Sequence, residues 1–209
     1  MTQTATQPTL TKTQCYLKMC ERVATFTDKL GTPLDPGIKE TVIALNLLGL
    51  QTVQSCEGHL DHGCPYPWVT VINQEHSRRF TDVWLHVCAL EEEAKQTATE
   101  QAYDYYLAAD SALRLHLTQW KREDMLFQQL TSWLDAFYTE KGEETPVRLM
   151  VLRIHPGLCR IEPGWSRVAK ELPEPLKARY LERSQTEMQS FAAYLLGQWQ
   201  QSRNQKEKP

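Results

Sequence analysis

Apolar positions recur at helical spacing soon after the chain begins. Tyr16, Met19, Val23, Phe26 and Leu30 lie three or four apart, and Gly31 follows as a stop, which predicts one amphipathic helix. A second helix is predicted behind Asp35, a candidate cap, and Pro36, suited to the first helical position. Ile38, Val42, Ile43 and Leu45 give its apolar face, and Gly49 closes it. Leu50 to Ser55 and Trp68 to Ile72 read as short strands, with Val69 and Val71 on one side of the latter.

From Trp68 to Lys141 the chain has no Gly or Pro, so after its opening strand this stretch is predicted to be mostly helix. Phe80, Val83, Trp84, Val87 and Leu90 mark one apolar face, continued by Tyr105, Ala109, Ala112 and Leu113. Leu126, Leu130, Trp133, Leu134 and Phe137 mark another. The reading is two long helices in an antiparallel hairpin, over about residues 76–141, with the break between Thr118 and Asp124. Strand character returns at Val147 to Ile154. His155-Pro156-Gly157-Leu158 supplies a turn, and Cys159 to Glu162 pairs back. A last helix carries Leu181, Ser184, Met188, Phe191, Leu195 and Trp199 on one face. Helices flanking two strand pairs predict an α+β fold with a mixed or antiparallel sheet of about four strands. Residues 15–202 are expected to form one domain, with residues 1–14 a disordered tail and residues 203–209 a polar one.

Charge and composition narrow the partners. The chain has 209 residues, with 23 Lys and Arg against 26 Asp and Glu, a net charge of −3. That balance argues against a polybasic nucleic-acid binder or attraction to an anionic membrane. No apolar run approaches the roughly 20 residues of a membrane span. The first fourteen residues lack the apolar centre of a signal peptide. A cytoplasmic location is therefore expected, with the six cysteines reduced. A chain of this size buries roughly 70% of its unfolded surface and is expected to need neither metal nor disulfide for its core.

Chemistry concentrates between the first two strands, in Ser55-Cys56-Glu57-Gly58-His59-Leu60-Asp61-His62-Gly63-Cys64-Pro65-Tyr66-Pro67-Trp68. Titratable and ligating side chains on a loop fed by a strand are a common form of functional site. Three readings stay open. Cys56, His59, His62 and Cys64 are ligands of the types zinc takes, though crowded on one short loop. Cys56 and His59 could make a nucleophile and base, with Glu57 orienting the imidazole or carrying the proton. The third reading is a purely structural corner, in which Cys56 fills an apolar hole and His59 bonds the backbone.

Two resemblances attach to these residues. Leu34-Asp35-Pro36-Gly37-Ile38, Ala44-Leu45-Asn46, Gly49, Thr52, Ser55 to Leu60 and Pro67-Trp68-Val69 resemble a block of an uncharacterised bacterial protein family. There, helix, strand, S-C-E-G-H and P-W-V recur in this order; the likeness implies no particular activity and leaves out His62 and Cys64. Asn46, Thr52, Ser55, Cys56 and Gly58 are also similar to the wybutosine-synthesis tRNA methyltransferase family, with its S-C-S-G-R motif. That second likeness implies S-adenosylmethionine and an RNA substrate. Glu57 and His59 stand where that family has Ser and Arg, and losing the Arg removes a phosphate-binding cation.

The favoured expectation is a small-molecule or nucleotide-like ligand site at the loop. Cys56, Glu57 and His59 are its candidate catalytic groups, and Ser55, Gly58 and Trp68 are candidate ligand contacts. Arg153, His155 and Arg160 would join as anion-binding partners if the two strand pairs share a sheet facing the loop. The alternative from another class is an interaction protein that uses the helical hairpin. No cofactor signature is present: there is no phosphate loop, G-x-G-x-x-G, G-x-S-x-G or H-E-x-x-H.

Overall fold

The computed structural model describes residues 10–141 and 146–206. The elements are α1 (Lys12–Ala24), a 3₁₀ turn (Pro36–Ile38), α2 (Lys39–Leu47), β1 (Gln51–Cys56) and β2 (Trp68–Ile72). Then come α3 (Gln74–Thr97), α4 (Glu100–Glu123), α5 (Met125–Lys141), β3 (Leu149–His155), β4 (Leu158–Pro163), a second 3₁₀ turn (Gly164–Val168) and α6 (Glu174–Lys206). The strands form one antiparallel sheet in the order β1-β2-β4-β3. The fold is α+β, as the hydrophobic pattern predicts.

The two strand pairs join because β2 and β4 present matching apolar rows. Val69 pairs with Ile161 and Val71 with Cys159, and all four side chains are buried. Alternation along a strand puts these residues on one face. That face packs against Val42, Ile43 and Leu45 of α2, Leu130 and Leu134 of α5, and Met188, Phe191 and Leu195 of α6. Helix α6 has 33 residues, about 50 Å of rise, and carries the buried stripe its spacing predicts. Ser184 belongs to that stripe because its Oγ accepts the buried Trp165 indole N–H at 2.8 Å. The opposite, more open sheet face exposes Gln54 and Leu152, half-buries Arg160 and buries Thr70 and Glu162.

Three boundaries differ from the expectation. Helix α1 ends at Ala24, and Leu30 is 90% exposed instead of completing the stripe. Asp28 Oδ1 accepts the N–H groups of Leu30 and Thr32, a local turn that competes with helix. At the other end of α1, Thr11 and Gln14 form a reciprocal capping box, so Lys12–Gln14 are helical and not tail. Residues 1–9 lie outside the described residues. So do residues 207–209, while α6 extends through Lys206.

The long Gly- and Pro-free stretch makes three helices. The antiparallel pair is α3 and α4, turning at Ala98-Thr99. Ala98 takes the left-handed conformation at φ +51°, and Thr99 caps α4 by accepting the Ala102 N–H. The expected break between Thr118 and Asp124 does occur, at Asp124, whose carboxylate accepts the Phe127 N–H and caps α5. Helix α5 then leaves the hairpin and packs in the central core. Among the described residues no helix is long and apolar enough to cross a membrane, and none of the six cysteines forms a disulfide.

Phe191 is fully buried where α5, α6 and the sheet meet, whereas Leu115 on α4 is 74% exposed. Phe191→Ala should lower the unfolding free energy by about 3–5 kcal/mol. Leu115→Ala should change it by less than about 0.5 kcal/mol. Urea unfolding of both variants checks the placement of the core, and equal losses would contradict it.

Candidate functional site

Strand β1 ends at Cys56, and the chain turns at once through Glu57 and Gly58. Gly58 is required twice over. Its φ is +88°, and a Cβ there would stand 2.6 Å from both Leu181 Cδ1 and the Tyr66 carbonyl carbon. Glu57 fastens the turn to the segment before α2. Its Oε2 accepts the Gly37 N–H at 2.6 Å, while its own N–H donates to Asp35 Oδ2 at 3.0 Å. From the other side, Gln185 of α6 donates Nε2 to the Glu57 carbonyl at 3.0 Å. Asp35 therefore does not cap the following turn as the sequence suggests; its carboxylate crosses to the loop.

That crossing assembles a cluster. Ligating atoms of Asp35, Cys56 and His59 all lie within 4.8 Å of one another, each on a half-buried residue. His59 Nε2 stands 3.5 Å from Asp35 Oδ2. Cys56 Sγ accepts the Gly58 N–H at 3.3 Å. Burial pushes the Cys56 thiol up from its ordinary value; the Gly58 N–H opposes this in part, and the Asp35 carboxylate and Cys64 add to it. A neutral thiol is favoured, the opposite of what activation by a neighbouring imidazole produces. Glu57, offered by sequence as a proton carrier, spends its carboxylate on Gly37.

The other loop residues divide. His62 stacks on His59 with ring centroids 4.1 Å apart and pairs with Asp61 at 2.8 Å, and both members of that pair are exposed. His59, Asp61 and His62 make a second, overlapping set of close ligating atoms. The four ligands of the zinc reading, Cys56, His59, His62 and Cys64, do not gather as one set of close ligating atoms among the described residues. Cys64 holds the loop through its carbonyl, which accepts the His59 N–H at 2.9 Å. Its thiol lies beside Tyr66, whose hydroxyl is pushed up to about 12 by burial, with Cys64 and Glu162 contributing.

Sheet register sorts the remaining candidates. Cys56 pairs with Trp68 across β1 and β2, so their side chains share the open face. Ser55 pairs with Val69 and faces the core side, away from Cys56. Arg160 lies over the Trp68 ring at 4.2 Å and donates Nε to Thr70 Oγ1 at 3.2 Å, which continues the row. The Trp68 indole nitrogen is buried and has no acceptor among the described residues. Arg153 and His155 do not join. They lie on β3, the far edge strand, where Arg153 binds Asp124 at 3.1 Å and His155 stacks on Phe80. A surface depression of about 570 Å³ between Ile72, Ser77, Arg78 and Thr81 also lies at the α3 end of β2, away from the loop.

Sequence reasoning missed Asp35 and Gln185 as parts of this site. Asp35 sits before Pro36 at the head of a helix, where a capping role explains it completely. Gln185 is one polar residue on a long helix, with nothing in its neighbours to mark it.

Gly58 and Gly63 both have positive φ, but only Gly58 is packed on all sides. Gly58→Ala should destabilise the fold by about 2–4 kcal/mol, from strain plus overpacking. Gly63→Ala should cost about 1 kcal/mol, from strain alone. Thermal or urea unfolding checks the difference, and equal costs would contradict the packing of the corner. No protein-family model matches the chain, nor does any curated protein or solved structure, so the function is argued from this geometry.

Proposed function

We propose that the protein binds a small, polar, nucleotide-like ligand at the Ser55–His59 corner, on the sheet face shared by Cys56, Trp68 and Arg160. The observation that carries this reading is the convergence of Asp35 with Cys56 and His59. Gly58 and the bonds of Glu57 already turn and anchor the chain. The Asp35 carboxylate shares in that anchoring, but a thiol and an imidazole gathered within reach of it are not needed for the task. In this reading Asp35, Cys56 and His59 contact the reacting or coordinating end of the ligand. Trp68 and Arg160 receive its flat or anionic part, because a guanidinium held on an aromatic face pairs well with phosphate or carboxylate. The cytoplasm, where thiols stay reduced, suits such a site.

A second reading has its own observation. The α3–α4 hairpin buries little more than Ser77, Val87, Ala94 and Leu113, and it exposes Trp84, Leu85, Tyr105 and Leu107. An arm with that surface suits contact with another protein, with the loop then a structural corner.

A thermal-shift screen of the full chain separates the two. The panel is adenosine monophosphate, S-adenosylmethionine and inorganic phosphate, each with and without added divalent metal. A ligand at 100 times its Kd stabilises by about 2.7 kcal/mol, well within reach of the method. The site reading expects a shift with at least one probe, lost in both His59→Gln and Arg160→Met while those variants still fold. A panel that shifts nothing, or a shift that survives both substitutions, favours the hairpin reading.

A further inference from the structure

The site proposed above has a chemically specific centre. Asp35, Cys56 and His59 contribute one oxygen, one sulfur and one nitrogen, all within 4.8 Å of one another. Ligand atoms about 2.0–2.3 Å from a tetrahedral zinc stand roughly 3.3–3.6 Å from one another. The His59 Nε2 to Asp35 Oδ2 separation of 3.5 Å fits that edge. As a hydrogen bond the same separation is at the long limit.

The surrounding bonds match those around metal ligands. Cys56 Sγ accepts a backbone N–H two residues on, from Gly58 at 3.3 Å. Asp35 Oδ2 accepts the Glu57 N–H at 3.0 Å, which orients the carboxylate toward the loop. Outer bonds of this kind aim ligands and neutralise part of their charge. Asp35 also arrives from a separate segment, so the site does not depend on crowding four ligands onto one short loop.

We propose that Asp35, Cys56 and His59 bind a zinc-class divalent ion. Thiolate and imidazole select such an ion over magnesium or calcium, which take oxygen ligands. Three protein ligands leave the fourth tetrahedral position for water or for the ligand of the site, the arrangement of catalytic more than structural zinc. His62, stacked on His59 and exposed, lies outside this set; Cys64, beside Tyr66, does too. The inference rests on the reading of the corner as a ligand site and names what its polar centre holds.

Cobalt titration of the full, untagged chain after dialysis against chelator tests it, because cobalt replaces zinc and its bond to a thiolate gives a near-ultraviolet charge-transfer band. The expected result is about one equivalent bound with that band present, and displacement by zinc. Cys56→Ser should lose the band. Asp35→Asn and His59→Gln should each weaken binding by more than the about 10–100-fold typical of an outer partner. His62→Ala and Cys64→Ser should keep the band. Uptake below about a tenth of an equivalent, a band that survives Cys56→Ser, or wild-type affinity in Asp35→Asn would overturn the proposal. A chain that takes no cobalt yet shows a His59-dependent shift with an organic probe in chelator refutes the metal and leaves the ligand site standing. Loss of both refutes both.

Discussion

The clasp between Glu57 and the Asp35–Gly37 segment is the interaction on which the rest of the site depends. It is reciprocal: the Glu57 carboxylate takes the Gly37 N–H, and the Asp35 carboxylate takes the Glu57 N–H. Hydrogen bonds with an ionised partner contribute about 1.5–3 kcal/mol each where water is partly excluded. Both acceptors are half-buried, which favours that range. Neither bond joins neighbours in sequence, so each one draws the head of α2 against the end of β1. A Cβ at Gly37 would stand 2.7 Å from Glu57 Oε2, so any larger residue there would push the Glu57 carboxylate out of its bond. The meeting of Asp35 with Cys56 and His59 follows from this contact.

The fold supplies the platform. Helices α2 and α6 pack side by side under the sheet, and Gln185 of α6 reaches up to the Glu57 carbonyl. The corner is thus tied to the most buried part of the molecule through two helices. The opposite end of the sheet is organised differently. There Arg153 pairs with the fully buried Asp124 at the α4–α5 junction and lies over Phe127. At the base of the hairpin His155 stacks on Phe80, and Trp120 meets Phe80 edge to face. Removing one partner of a buried ion pair leaves an uncompensated charge, so the Arg153–Asp124 contact serves the join between hairpin and core.

Strands and their order of appearance were legible because turn chemistry punctuates them. Pro67 precedes β2, and Pro156-Gly157 separates β3 from β4. The hairpin turn at Ala98-Thr99 was not legible, since an alanine in the left-handed region carries no compositional mark. The loop was visible as a concentration of thiol and imidazole, and Cys56 and His59 do come together. Their third neighbour was hidden because Asp35 has a satisfying local explanation as a cap, and only the fold shows its carboxylate directed elsewhere. Arg153, His155 and Arg160 were grouped because they flank one turn. Sheet order, which sequence does not reveal, sends Arg160 to Trp68 and the other two to the far edge.

A double-mutant cycle on Asp35→Ala and Glu57→Ala, read by urea unfolding, tests the clasp most directly. If the two carboxylates hold the corner as one unit, breaking the first loosens the second. The two losses should then fall short of additivity by about 0.5–3 kcal/mol. Losses that add to within about 0.3–0.5 kcal/mol would mean the two side chains act independently, and would contradict the account of how the site is assembled.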